Sequence, residues 1–353
     1  MKSLYIGSTG DYSGKTLVTM GLAMTLQKQG YRVGYLKPLG KHPIIVEGEA
    51  VDGDAEFLKK VLHLADPLSV ISPVVITHEL VVQRYKGAMP DLLPKVVEAH
   101  ARISREKDIV LIGGAGNLMG GAFLDMSVAR VCEALDSQVL LVDSSDPQHG
   151  YDALFVAREI LGDRLIGVVL NRVSHSLLNM VEEMAIPFLT KSGFRILGVL
   201  PHDPLLDAIT VRQLQELLEG KILCAEDRME ELVANFSVGA MDLDKAMSYF
   251  RKLPNKAVIT GANRPDLQLA ALETATKCLI LTGNQSPNEI IVSRARELHV
   301  PIIVVPYDTF TTVDRVEHFM GRIRIREQQK VEKARQLLED RLDCGALLQA
   351  LQL

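Results

Sequence analysis

The stretch LYIGSTGDYSGKT, residues 4–16, decides the fold of this chain. It begins as a short apolar strand and turns glycine-rich before an amphipathic helix, whose Leu17, Leu22 and Leu26 share one face. A second apolar run follows the helix and ends at Pro38. A strand, a glycine-rich loop, a helix and a parallel strand in this order predict a phosphate-binding loop.

The residue types of the loop suit that chemistry. Gly10 and Gly14 let the backbone turn sharply and bring its N–H groups close to phosphate oxygens, beside the positive end of the helix dipole. Lys15 is predicted to reach the β- and γ-phosphates and Thr16 to bind Mg²⁺ through its hydroxyl. The common G-x-x-x-x-G-K-[ST] spacing is not met, because Thr9 stands at its first glycine, so an ordinary glycine-rich turn is the alternative. The residues predicted to contact the nucleotide here are Thr9, Gly10, Asp11, Ser13, Gly14, Lys15, Thr16 and Leu17.

Residues 8–38 resemble the start of the dethiobiotin synthetase-like P-loop proteins, whose phosphate loop also departs from the common spacing and whose second strand ends in Lys-Pro. They are more similar still to the dethiobiotin synthetase-like N-terminal region of long bacterial phosphotransacetylases. That region reads Pro-Thr-Gly where this chain has Ser8-Thr9-Gly10. The resemblance implies ATP, or a related nucleotide, together with Mg²⁺.

Residues 1–205 are predicted to form this P-loop nucleotide-binding domain, an α/β fold. Apolar strands alternate with helices, as a parallel sheet with helices on both faces requires. The predicted strands are residues 3–7, 32–37, 109–113, 138–143, 165–170 and 195–199. Ligands bind at the carboxyl ends of such strands.

Two positions that follow those strands belong to the predicted metal site. Asp54 matches the aspartate that the synthetase family uses for Mg²⁺, and a helix-capping role is the alternative. Gly113 stands where the relatives carry a glutamate that helps to hold the metal. A site without this carboxylate is expected to hold Mg²⁺ less firmly and to hydrolyse ATP slowly. Asp125 and Asp143 are possible substitutes that the spacing does not separate from structural residues.

Two further strand ends bear on the base. Asn171, followed by Arg172, resembles the strand-end asparagine that reads the adenine edge in these proteins, and a turn-initiating asparagine is the alternative. Pro201 closes a Gly-x-x-Pro segment that borders the base pocket in the resembling family.

The remaining chain divides into three predicted parts. Residues 206–236 are expected to be a charged helical linker, and residues 237–321 resemble the small α/β DRTGG domain of the same phosphotransacetylases. Its signature is only partly kept, as Asn263-Arg264 and Thr282-Gly283-Asn284, so these loops are expected either to bind an anion or nucleotide or to stabilise a dimer interface. Residues 322–353 are expected to form one charged helix, packed on its own domain or pairing with a partner.

Composition excludes several classes of function. A formal net charge of −5 over 353 residues argues against nucleic-acid binding. The four cysteines lack metal-ligand spacing and are expected to be reduced, structural thiols. No signal peptide is expected, and no apolar run approaches the ~20 residues of a membrane span. We therefore expect a cytoplasmic protein that does not bind membranes.

Three functional hypotheses follow. The resemblance covers residues 3–320 and leaves no residues for an acetyl-transferring domain. This favours a stand-alone nucleotide-binding regulator with weak or no ATPase activity. We expect a homo-oligomer through the DRTGG-like domain or the C-terminal helix, and a protein partner is a further hypothesis. The alternative is an ATP-dependent ligase of the dethiobiotin synthetase or cobyrinic acid a,c-diamide synthase type. In that case Lys37 would hold the carboxylate or carbamate and Lys15 would stabilise the transferred phosphoryl group. The third hypothesis is a scaffold with a vestigial loop.

Overall fold

The computed structural model describes residues 1–320 and 325–353. The chain forms two compact units, the first made of Met1–His202 with Ile325–Leu353 and the second of Asp203–Arg324. The second unit is therefore inserted into the sequence of the first.

The strands and helices follow in chain order. The strands are β1 (Lys2–Ser8), β2 (Val33–Leu36), β3 (Pro43–Val46), β4 (Glu49–Asp52), β5 (Ile109–Gly113), β6 (Gln138–Asp143), β7 (Leu165–Val173), β8 (Ile196–Pro201), β9 (Ile209–Thr210), β10 (Lys221–Ile222), β11 (Leu232–Val233), β12 (Asn235–Gly239), β13 (Lys256–Gly261), β14 (Thr276–Thr282) and β15 (Ile302–Val304). The helices are α1 (Lys15–Lys28), α2 (Gly53–Val61), α3 (Leu68–Ile71), α4 (His78–Tyr85), α5 (Leu93–Ile103), α6 (Val128–Ala134), α7 (Asp152–Leu161), α8 (Leu178–Met180), α9 (Ile186–Lys191), α10 (Val211–Leu217), α11 (Leu243–Lys252), α12 (Pro265–Leu272), α13 (Glu289–Glu297), α14 (Thr309–Met320), α15 (Gln328–Arg341) and α16 (Cys344–Leu351). A π-helical turn, Val181–Ala185, joins α8 to α9.

The first unit is built on a six-stranded parallel sheet in the order β2-β5-β1-β6-β7-β8. The six predicted strands and the α/β class are confirmed. These strands are apolar along nearly their whole length because helices cover both faces of the sheet; all five residues of β5 are buried, for example. The chain runs from β1 to β2 and then to β5 on one side of β1, and it crosses from β5 to β6 on the other side. The carboxyl end of β1 is therefore a switch point of the topology, where α/β sheets bind ligands.

The second unit contains a five-stranded sheet in the order β10-β15-β14-β13-β12. β12 to β15 are parallel, and β10 pairs with the edge of β15 in the antiparallel direction. The prediction of a separate linker at residues 206–236 is wrong, because these residues belong to the second unit. Val211, Leu214 and Leu218 of this segment are buried with the sheet residues Ile259 and Ile280 in one core, and Leu217 packs against it.

The C-terminal segment belongs to the first unit and forms two helices, not the single helix predicted for residues 322–353. Residues 321–324 of the predicted boundary lie outside the described residues. α15 packs along α1, where a Cβ on Gly21 would stand 2.7 Å from Cγ of Leu338, so the glycine permits the close approach. The helix that follows the phosphate loop is thus held by the end of the chain.

Within the described part of the chain, no helix combines the length and the apolar character needed to cross a membrane.

Candidate functional site

The predicted phosphate loop joins β1 to α1 at the carboxyl edge of the first sheet. Gly14 caps the helix with φ 92°, a left-handed conformation that strongly favours glycine. A Cβ on Gly14 would lie 2.1 Å from Nδ2 of Asn171. Both the backbone conformation and the available space therefore require glycine at this position.

The side chains of the loop hold it in a curled shape. The Ser8 hydroxyl donates to the carbonyl oxygen of Gly10 at 2.7 Å, and the Ser13 hydroxyl donates to the same oxygen at 2.9 Å. Nζ of Lys15 donates to Oγ of Ser8 at 2.8 Å, so its ammonium group lies over the loop. The predicted contact of Lys15 with the β- and γ-phosphates stays a prediction.

The remaining predicted loop residues have distinct environments. The Thr9 hydroxyl donates to Asp143 at the end of β6. Thr16 is half-buried in the first turn of α1, and Asp11 is exposed. Leu17 is buried in the core, so its contribution to a ligand is limited to the backbone.

Positive charge is concentrated around this loop. Burial first, and then the nearby charge of Lys37, lower the pKa of Lys15 to about 8, while Asp11 and Asp54 oppose the shift. Lys41 adds to the repulsion. Three ammonium groups near one another leave the site in need of an anion, which a polyphosphate would supply.

Lys37 and Asp54 face each other beside the loop. Nζ of Lys37 lies 3.7 Å from Oδ2 of Asp54 and donates to the carbonyl oxygen of Gly114 at 3.1 Å. The helix-capping role belongs to Asp52, whose carboxylate accepts from the backbone N–H groups of Asp54 at 3.0 Å and of Ala55 at 3.2 Å. The carboxylate of Asp54 is therefore directed to the site, where it contacts a lysine.

The position of the missing carboxylate is occupied by another side chain. A Cβ on Gly113 would lie 2.4 Å from the hydroxyl oxygen of Tyr35. Tyr35 is 2% exposed, and burial first, then the charges of Asp52 and Asp54, raise the pKa of its phenol well above the usual value. A neutral phenol thus takes the space that a side chain at residue 113 would need.

The described residues offer few metal ligands. No group of three or more His, Cys, Asp or Glu side chains gathers in a metal-binding arrangement anywhere in residues 1–320 and 325–353. Of the two possible substitutes, Asp143 reaches the loop through Thr9, whereas Asp125 is paired with Arg84 at 2.7 Å. Thr16 and Asp54 fit a Mg²⁺ ion that arrives with phosphate oxygens, since Mg²⁺ commonly takes one or two carboxylates and keeps substrate and water ligands.

On the other side of the loop, Asn171 is 5% exposed and donates from Nδ2 to the carbonyl oxygen of Ser13 at 2.8 Å. The asparagine therefore braces the loop, a role that the sequence did not reveal. Arg172 follows with φ 58°. Pro201 pairs in register with Val173 where β7 and β8 end.

Two residues of the site, Tyr35 and Lys41, were not predicted from the sequence. Lys41 follows the Lys37-Pro38 signature in the same polar loop, so its position after a strand end was an available signal. Tyr35 looked like any apolar residue of a buried strand, and only the packing relates it to Gly113.

The DRTGG-like loops lie at the carboxyl ends of β13 and β14 in the second unit. Arg264 forms a bidentate ion pair with Asp266, in which Nε donates to Oδ1 at 3.0 Å and Nη2 donates to Oδ2 at 2.8 Å. The hydroxyls of Thr282 and Thr309 are 2.9 Å apart. Gly283, at φ 88°, has open space around its Cα. Both predicted roles of these loops, ligand binding and dimer contact, stay predictions.

A parallel α/β sheet with a glycine-rich loop at its switch point and a lysine folded over that loop defines a P-loop NTPase-type domain. Comparison with known families agrees: the chain belongs to the family described as AAA domain, whose model matches residues 2–210, and a DRTGG domain model matches residues 213–319.

The relatives extend this similarity over the whole chain. The chain is 22% identical to phosphate acetyltransferase of Pseudomonas putida and 25% identical to that of Deinococcus radiodurans, in each case over 99% of this chain and 52% of the relative. The matched part is the N-terminal half of those enzymes, so the chain spans about half the length of the curated relatives it matches. Among solved structures, the cell division ATPase MinD of Pyrococcus furiosus is similar over 58% of this chain and 85% of its own, with 22% identity and a TM-score of 0.37.

Proposed function

We propose that this protein is a nucleotide-binding regulator that holds ATP with Mg²⁺ at the phosphate loop and hydrolyses it slowly or not at all. The observation that carries the proposal is the combination of a curled, lysine-covered phosphate loop with Gly113 in place of the family glutamate, beside Asp54. Lys15, Lys37 and Lys41 supply charge for a polyphosphate. The phenol of Tyr35 fills the space at Gly113.

The proposed roles follow the sequence predictions. Thr9, Gly10, Asp11, Ser13 and Gly14 form the loop around the phosphates, and Lys15 pairs with the β- and γ-phosphates. Thr16 and Asp54 hold the Mg²⁺. Asn171, Arg172 and Pro201 border the base, and the amide oxygen of Asn171 is the atom suited to accept from it, because its nitrogen donates to the loop. The second unit binds a second ligand or another copy of the chain.

Titration of the purified protein with Mg²⁺·ATP tests the proposal. At a ligand concentration of 100 times the Kd, the free energy of unfolding is expected to rise by about 2.7 kcal/mol, with little ADP formed. A protein whose unfolding is unchanged by ATP, ADP or GTP would instead have a vestigial loop.

The pKa of Lys15 makes nucleotide binding depend on pH. The ammonium form binds phosphate, so binding raises a pKa that is about 8 in the free protein. Affinity for Mg²⁺·ATP is therefore expected to fall about tenfold between pH 7 and pH 9, with proton uptake on binding. Calorimetric titration in buffers of different ionisation enthalpy measures both effects.

The matched control is Lys15→Arg, because a guanidinium stays charged over this range and should remove the pH dependence even where it weakens binding. An unchanged pH profile in Lys15→Arg would assign the effect to another group.

The ligase alternative rests on Lys37, which lies in the same positive cluster and suits a small carboxylate. It requires firmly held metal for phosphoryl transfer, and the Gly113–Tyr35 arrangement disfavours that. ADP formation that depends on an added carboxylate would favour the ligase over the regulator.

A further inference from the structure

The second unit is inserted into the nucleotide-binding unit, and both connections reach that unit beside the proposed site. The outgoing connection leaves at His202, whose backbone N–H donates to the carbonyl oxygen of Val173 at 2.8 Å, two residues beyond Asn171. The returning connection enters at Ile325 and is followed at once by Arg326. The returning connection contacts the turn that carries Asp54, the proposed metal ligand.

The Arg326 side chain contacts three residues at the start of α2, Gly53, Glu56 and Phe57. Its Nη2 donates to the carbonyl oxygen of Gly53 at 3.2 Å, and its Nη1 lies 3.8 Å from the Glu56 carboxylate. Its guanidinium carbon lies 5.6 Å from the centre of the Phe57 ring. A Cβ on Gly53 would stand 3.2 Å from Nη2, so the arginine is packed against the backbone of this turn.

This turn carries Asp54, the proposed metal ligand and the partner of Lys37. A carboxylate binds a Mg²⁺ ion well only when its direction is fixed. Asp52 caps this turn, because its carboxylate accepts from the backbone N–H groups of Asp54 and Ala55. Arg326 contacts the same part of the helix through the carbonyl oxygen of Gly53, the carboxylate of Glu56 and the ring of Phe57.

We propose that Arg326 is a positioning residue for Asp54, and that through it the return of the chain from the second unit is coupled to Mg²⁺·nucleotide binding. This inference rests on the proposed function. Because coupling between sites is reciprocal, bound Mg²⁺·ATP stabilises the contacts of Arg326, and the loss of those contacts weakens the Mg²⁺-dependent part of binding.

The test compares ATP affinity with Mg²⁺ and with EDTA in the full chain. Arg326→Gln is expected to weaken ATP binding at least about threefold with Mg²⁺ and to leave the affinity in EDTA unchanged, a split that general destabilisation would not produce. Glu56→Gln is expected to act in the same direction, and to add little in the double variant.

Arg335→Gln is the matched control. Arg335 lies on α15, forms ion pairs with Glu332 and Glu339 and has no part in the contacts of α2. Its substitution changes the charge equally and should leave both affinities unchanged.

Hydrogen exchange supplies a second readout. In the wild-type protein, Mg²⁺·ATP should slow exchange at the amides of Asp54 and Ala55 and at residues 325–330, and Arg326→Gln should abolish the slowing at both places. Equal losses of affinity with Mg²⁺ and with EDTA, or no loss in either, would overturn the inference. Wild-type protein that binds no ATP would instead overturn the proposed function.

Discussion

Replacement of Lys15 by alanine is expected to weaken Mg²⁺·ATP binding about 100-fold. The ammonium group lies over the loop, 2.8 Å from Ser8, and a charge-assisted hydrogen bond to phosphate in a partly buried site contributes up to about 3 kcal/mol. Neither Lys37 nor Lys41 lies on the loop itself, so neither can take over this contact. Calorimetric titration of the variant measures the loss.

The same substitution should not destabilise the free protein. Burial and the charge of Lys37 lower the pKa of Lys15, which means that the folded protein disfavours its charged form. The unfolding midpoint of Lys15→Ala without nucleotide is therefore expected to equal or exceed that of the wild type. Loss of binding together with a lower midpoint would indicate a folding defect.

Lys28→Ala is the control on the same helix. Its side chain is 66% exposed and pairs with Glu339 at 3.2 Å, so the change removes one positive charge at the far end of α1. Nucleotide affinity should stay within about twofold of the wild type, because exposed charges at that distance are screened. A comparable loss in both variants would mean that only the overall charge of the unit matters.

Gly113→Ala is expected to lower the free energy of unfolding by about 2 kcal/mol. The added Cβ would lie 2.4 Å from the phenolic oxygen of buried Tyr35, which packed neighbours prevent from moving away. The backbone at Gly113 is not among those with positive φ, so the strain comes from the tyrosine alone. Urea unfolding followed by circular dichroism measures the change.

A double-mutant cycle isolates the cause. Removal of the hydroxyl in Tyr35→Phe takes away the contact at 2.4 Å, so Gly113→Ala in that background should cost about 1 kcal/mol or less. The same cost in both backgrounds would show that residue 113 is a glycine for another reason. With strong coupling, a single change of Gly113 to glutamate could not restore the family carboxylate, since Tyr35 would have to change as well.

Much of the fold could be read from local patterns. Continuous apolar runs alternating with helical patterns predicted the six strands of the first sheet. This worked because the spacing of apolar residues along the chain reflects which residues are buried in a strand or a helix. The pattern failed at residues 206–236, where an amphipathic stripe indicates a helix face but does not identify its partner. In the structure, that partner is the second sheet.

The C-terminal segment failed for the same reason. Its apolar spacing predicted helix correctly, but its packing on α1 depends on Gly21, a residue more than 300 positions away that sequence periodicity does not connect to Leu338. Contacts of high sequence separation leave no local trace.

The sequence by itself determined that the chain begins as a P-loop α/β domain, because glycine, lysine and hydroxyl residues between a strand and a helix have few other uses. Tertiary structure alone decided that Tyr35 fills the space at Gly113, that Asn171 braces the loop and that Arg326 holds the turn of Asp54. The physical reason is that phosphate binding depends on backbone geometry within one short segment. The surroundings of Gly113 and Asp54, in contrast, are formed by side chains that are distant in the sequence. Their packing is fixed only when the whole chain has folded.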